Sequence, residues 1–196
     1  GGPKLVNVTF NVSEGPKIKI RDLEFVGNTA KSDGTLQKKM KENKPKGLFG
    51  FITGGGTYKE EKFGEDAEKV IEHYRNEGYI YADLRPVVER RVTADTSEHI
   101  VDLRWVIDEK APAIINRIEI VGNDYTVETC IRDQLVIIPG DVYNQDRLIR
   151  SWQSIGNLGF FETPIPPPDQ RPANEQGDID IIFNVKERRT GNVNFG

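Results

Sequence analysis

IRDLEFVGN (Ile20–Asn28) returns later in the chain as INRIEIVGN (Ile115–Asn123), with an offset of 95 residues carrying Gly27 onto Gly122. That period is too long for a solenoid turn and suits two small domains in tandem. Each copy reads as an alternating strand that stops at Gly-Asn, a pair that accepts positive φ and so ends a strand in a turn. Working outward, VDLRWVIDE (Val101–Glu109) and IDIIFNVKE (Ile179–Glu187) form a second repeated pair, with Trp105 and Phe183 in register. LVNVTFNV (Leu5–Val12) carries the same alternation, with Phe10 at the aromatic position. Three closing strands then accompany two opening ones, so residues 1–14 read as the C-terminal strand of a preceding unit.

Between opening and closing strands lie two helical patterns per unit. In the first, Leu36 and Met40 mark a short helix that Asn43-Lys44-Pro45 ends. Phe63, Ala67, Val70, Ile71 and Tyr74 then form one face of an amphipathic helix, with Gly78 as a left-handed cap. Tyr79–Val92 and Ile100–Ile107 read as a hairpin across Asp95, Thr96 and Ser97. The second unit repeats the order with Val127, Cys130, Ile131 and Leu135, then Leu148, Trp152 and Ile155, closing at Gly159. Cys130, the only cysteine, is expected to pack as a buried thiol. Tyr58–Gly78 exceeds Tyr143–Gly159 by about one helical turn, an insertion that keeps the buried face in phase.

The plan is β-α-α-β-β, an α+β fold in which each three-stranded mixed sheet carries two helices on one face. The third strand, most uniformly apolar at Ile179, Ile181, Ile182, Phe183 and Val185, belongs in the centre. Strands one and two become edges. The expected segments are residues 1–14 (remnant), 15–110 (first complete unit), 111–190 (second unit) and 191–196 (start of a junction with a further domain).

A chain of 196 residues with 36% apolar and 30% charged side chains can bury two modest cores. A net charge of −4 argues against a dedicated nucleic-acid binder. No run of eighteen apolar residues is present, and no n-region of a signal peptide opens the chain. Residues 31–46 carry six lysines against two acids, and Glu60–Glu77 seven acids against three bases, an arrangement of neighbouring helices with complementary charge. A lipid-headgroup role is the alternative for the lysines.

The glycine-rich loop Gly47–Thr57 lacks the Gly-Lys-Ser/Thr of a phosphate loop. Its Gly47-Leu48-Phe49-Gly50 sits where KH domains place a backbone-clamping GxxG, but the second unit has none and Leu48 and Phe49 offer phosphate no charge. Leu48, Phe49, Phe51 and Ile52 would instead give an apolar tip for a partner or a membrane. His73 and His99 have no metal-ligand spacing and read as surface histidines, and the acids are scattered. No enzyme, metal or cofactor is expected.

The β-α-α-β-β repeat with VGN after strand one, an aromatic after the second helix's glycine and an acid ending strand three resembles the POTRA domain. LGFFET (Leu158–Thr163) and VKERRTGNVNFG (Val185–Gly196) resemble the last POTRA of BamA-type outer-membrane β-barrel assembly factors and its junction with the barrel. The resemblance implies a periplasmic segment whose modules receive unfolded barrel precursors and dock accessory lipoproteins, ahead of the protein's own C-terminal β-barrel. Before Gly140 stands Pro139, where some relatives carry an acid linked to lipoprotein docking, while Arg132 matches a basic docking position. A rigid spacer without client binding and a KH-like nucleic-acid module are the alternatives.

Strand augmentation is the expected activity, and the two units are expected to differ. Pro164, Pro166 and Pro168 share one strand parity, so the second unit's outer edge is short of donors. Val87, Val88, Glu89, Arg90, Arg91 and Val92 of the first unit form the expected client edge.

Overall fold

The structure, a computed structural model, describes residues 18–45, 56–92 and 99–188, with backbone alone at residues 90–92. The first module runs β1 (Ile18–Val26), α1 (Asp33–Lys39), β2 (Gly56–Thr57), a 3-10 turn (Glu60–Lys62), α2 (Phe63–Arg75), β3 (Asp83–Val92) and β4 (His99–Asp108). The second runs β5 (Ile115–Val121), α3 (Glu128–Arg132), α4 (Gln145–Asn157), β6 (Asp169–Pro172) and β7 (Ile179–Asn184). Leu5–Val12, the loop tip Leu48–Ile52, the turn Asp95–Ser97 and the junction 191–196 lie outside the described residues.

The sheet orders are β2-β1-β4-β3 and β5-β7-β6. In both, the third strand of the repeat is central, parallel to the opening strand and antiparallel to the second. The central strands show why. Val101, Leu103, Trp105 and Ile107 of β4 alternate into the core, and β7 is buried from Ile179 to Phe183. Each module has its own core: Phe25, Leu36, Met40, Val70, Tyr74, Trp105 and Ile107 in one, Ile115, Ile131, Ile155, Phe161, Ile181 and Phe183 in the other. Val70 and Tyr74 are fully covered, each worth about 1.5–3 kcal/mol of apolar burial, so the α2 stripe fastens helix to sheet.

Several expectations are corrected. The first sheet has a fourth strand, because Gly56 and Thr57 pair with Ile20 and Lys19. The second module has the same contact as a single bridge, Ile114 to Val142. The amides of the matched Tyr58 and Tyr143 donate to the Ile18 and Ala113 carbonyls at 2.8 and 3.0 Å. The extra turn is not inside the helix, since α2 and α4 both span 13 residues; it is the 3-10 turn preceding α2. Helix α3 has five residues and buries only Ile131, so Cys130 is exposed rather than packed. His73 is largely covered, and burial, then Lys39, lowers its pKa.

The VGN repeat has a common physical basis. Gly27 and Gly122 have φ of 92° and 95°, and a Cβ on either would lie 2.1 and 2.0 Å from the Ile107 and Val185 carbonyl oxygens. Only glycine permits both the turn and the approach. The asparagines tie the next turn, with Asn28 Nδ2 donating to Lys31 O at 2.8 Å and Asn123 Nδ2 to Thr126 O at 3.1 Å. The acid after each central strand completes it. Glu109 accepts from Thr29 Oγ1 at 2.6 Å, Ala30 N at 3.0 Å and Tyr74 Oη at 2.7 Å. Glu187 accepts from the Tyr125 and Thr126 amides at 3.0 and 2.5 Å.

Burial works to raise the Glu109 pKa, but the bonds from Thr29, Tyr74 and Ala30 outweigh it and hold the carboxyl below its usual range. A depressed carboxylate contributes stability above its unfolded pKa of about 4.3 and loses it as pH falls through the folded value. The first module's unfolding midpoint is therefore expected to drop on acidification below about pH 4.5. Glu109→Gln should flatten that part of the profile, as read by urea unfolding at successive pH values. A slope unchanged in the Gln variant would assign it to other carboxylates.

The modules meet at a hydrogen-bonded elbow. Asn76, just past α2, accepts from the Asp146 amide on Oδ1 at 2.9 Å and donates from Nδ2 to Asp146 Oδ2 at 2.9 Å. Its carbonyl accepts from Asn144 Nδ2 at 2.6 Å, while Asn144 Oδ1 caps α4 by accepting from the Arg147 amide. Ala113 N donates to Gly78 O at 2.9 Å.

Candidate functional site

A sheet edge can take up another strand only if its outward main-chain groups are unpaired, so the direction of each edge residue decides the candidates. The close approach of Gly27 to the Ile107 oxygen puts odd-numbered β4 residues toward β1. Even-numbered Asp102, Arg104 and Val106 then face β3, where the register matches them to Glu89, Val87 and Arg85. Backbone direction alternates along a strand, so Leu84, Pro86, Val88, Arg90 and Val92 present their main-chain groups outward. Pro86, which has no N–H to give, sits in an outward position as its chemistry requires.

This row has no partner strand among the described residues, since β3 closes its sheet. The other three edges offer less: those of β1 and β5 are partly covered and that of β6 is short of donors. Residues 56–58 cover the start of β1. On β5, the Gly140 amide donates to Ile115 O and the Ile115 amide to Asp141 O. Arg132 Nη2 then donates to Ile118 O at 3.0 Å, farther along the same edge. On β6, Ala173 N donates to Asp178 O, so Pro172, Gln170 and Pro168 form the outward row, with one donor among three residues. The sequence-expected proline row is not part of this strand: Pro164, Pro166 and Pro168 precede the four-residue β6 and lie outside its ladder, and only Pro168 continues its outward phase.

The two faces flanking β3 differ chemically. Leu84 and Val88 lean against the cores on the helix side. The open face carries Arg85, the exposed Val87 and Glu89, with Arg104 between Glu24 at 2.7 Å and Glu89 at 3.4 Å. A strand laid along β3 would meet an apolar rim on one side and a charged one on the other.

Arg132 does not project freely: its guanidinium also holds Glu128 Oε1 at 2.7 and 2.6 Å, which fixes α3 over the β5 edge. Among the described residues the Lys31–Glu77 pair meets the complementary-charge reading of the helices, while Lys62–Glu65 and Lys69–Glu72 are pairs within one segment. Pro86 and Asn76 were not singled out by the sequence reading. An isolated Pro after Leu-Arg in an alternating run was the available signal for the first. Among the described residues, no group of three His, Cys, Asp or Glu side chains could hold a metal ion, and no helix is long and apolar enough to cross a membrane.

A Treponema pallidum protein named for outer membrane protein assembly is 28% identical over 192 residues, covering 98% of this chain and 21% of its own length. The outer membrane protein assembly factor BamA of Nitratidesulfovibrio vulgaris is 25% identical, over 94% of this chain and 22% of its own. The chain therefore spans about a fifth of these relatives. Among solved structures, Haemophilus ducreyi BamA lacking POTRA domains 1-3 superposes with a TM-score of 0.65 at 19% identity, over 87% of this chain and 29% of that one, which shows a shared fold. The POTRA family model, described as a surface antigen variable number repeat, matches residues 18–110 and 113–188. With both β-α-α-β-β units so matched, the chain belongs to the POTRA family and carries two of its domains in tandem.

Proposed function

We propose that this chain is a periplasmic segment of a BamA-type outer-membrane protein assembly factor, in which β3 receives extended segments of unfolded β-barrel precursors by strand augmentation. The supporting observation is the contrast between edges: among the described residues β3 has no partner strand on its outer side and keeps four N–H donors in its outward row, whereas the β1 and β5 edges are partly covered and the outward row of β6 has one donor among three residues. Barrel strands alternate apolar and polar residues, which suits the apolar and charged rims on either side of β3. Val88, Arg90 and Val92 offer an N–H and a C=O each. At roughly 0.5–1.5 kcal/mol per bond, six bonds give about 3–9 kcal/mol before ordering and association costs. Capture is then weak and reversible, as a handover site requires. Accessory lipoproteins would dock around Arg132, whose neighbours Val127 and Cys130 are exposed. The loop tip at Leu48, Phe49, Phe51 and Ile52 would touch a partner or the membrane surface. Nucleic acid is not a partner in this reading.

The elbow at Asn76 favours a second reading, a spacer that only sets the bearing of neighbouring segments. A nitroxide-labelled amphipathic strand peptide separates the two. Augmentation is expected to broaden the amides of Val88, Arg90 and Val92, and Val88→Pro, which deletes one outward donor, should weaken binding severalfold. Broadening centred on Asp169–Pro172, or none at all, would overturn the proposal.

A further inference from the structure

We infer that Pro86 is a register stop: it divides the β3 edge so that an incoming strand pairs with Val88–Val92 and ends there, leaving Leu84 unpaired. This rests on the strand-augmentation reading above. Leu84 and Pro86 belong to the same outward row as Val88, in register with Ile107 and Trp105 of β4. The edge thus extends physically past Pro86, but its hydrogen-bonding capacity does not.

Fixing one backbone residue costs about as much as one net hydrogen bond returns. Over Val88–Val92, five ordered residues of an antiparallel strand would gain six bonds, because each outward residue exchanges two. Continuing to Leu84 would order four more residues for three bonds, since the carbonyl facing Pro86 finds no donor. The first stretch returns six bonds for five residues and the second three for four, so pairing past the proline is the less favourable part. The strand therefore stops at the proline, and its side chains are fixed to one phase: those opposite Val88 lie on the apolar rim, those opposite Val87 and Glu89 on the charged one. A stop of this kind selects no sequence, yet it aligns every amphipathic segment alike. Pro86 is exposed and packs against neither core, so removing it alters the edge without altering the interior.

The test is amide exchange by NMR on the intact chain, with a synthetic ten-residue peptide of alternating valine and threonine as probe. In the wild type, saturating peptide is expected to slow exchange at Val88, Arg90 and Val92 and leave Leu84 unchanged. In Pro86→Ala, protection should extend to position 86 and to Leu84, with binding about two- to tenfold tighter from the restored bond. Equal protection of Leu84 and Val88 in the wild type would overturn the inference and leave augmentation standing. So would an Ala variant whose protected set and affinity match the wild type. Protection at none of these amides in either protein would overturn the augmentation reading and the register stop together.

Discussion

Gly122→Ala is expected to unfold the second module while the first stays folded. The added methyl would stand 2.0 Å from the Val185 oxygen, at a φ of 95° that L-residues avoid. The conformational strain alone costs about 1–2 kcal/mol. The contact cannot be relieved by turning a side chain, because its partner is the main chain of the central strand. Moving that chain separates β5 from β7 and threatens the Val185 amide's bond to Val121 O at 2.8 Å. Strand separation raises the total to about 3–5 kcal/mol or more. A unit of this size holds about 4–12 kcal/mol in all, so the loss is comparable with the whole. Two-dimensional amide spectra would report it, with residues 115–188 collapsing to unfolded shifts and β1–β4 retaining theirs. A second module that keeps native dispersion with a midpoint shifted only slightly would refute this account of the VGN turn.

Asp66→Ala should have the next largest effect, in the first module. Its carboxylate is fully buried and accepts from four N–H groups: the amides of Lys41 at 2.7 Å, Glu42 at 3.1 Å and Asn43 at 2.8 Å, and Asn43 Nδ2 at 3.1 Å. Asn43, itself buried, passes the restraint on by accepting from the Lys59 amide at 2.7 Å and donating to its carbonyl at 2.9 Å. One side chain on α2 thus holds both ends of the segment between the helices. Alanine would leave several donors without acceptors, at about 1–3 kcal/mol for each that stays buried, and relaxation toward water would limit the sum to about 3–5 kcal/mol. Asp66→Asn, which keeps one acceptor oxygen, should lose about half as much. The measurement is the urea midpoint of the first module, and equal losses in the two variants would mean that charge, rather than acceptor count, carries the effect.

The order of strands was legible because it is written in periodicity. Trp105 and Phe183 occupy matched positions of strands whose burial pattern fixes them as central, and Gly27 and Gly122 announce the turns. What escaped was written in tertiary contacts. Asp66 looked like one of the scattered acids, and Glu109 and Glu187 stood out only as the acid that ends strand three; each organises a turn that its sequence neighbours do not contain. Cys130 sat at helical spacing, but α3 is too short for that spacing to define a buried face. Strand β3 was legible as one arm of a hairpin, whereas which of its residues point outward depended on register against β4. Arg132 was singled out by resemblance, and its bond to the Ile118 oxygen could not be anticipated from spacing.

The contacts of Asn76 with Asn144 and Asp146 bind the α2 terminus of one unit to the opening turn of α4 in the next. Compatibility between neighbours is consequently inherited as a matched set distributed across two domains. Recombination that exchanged one unit for a foreign copy would supply a working sheet and a mismatched socket, so these repeats can diverge in place far more readily than they can be shuffled.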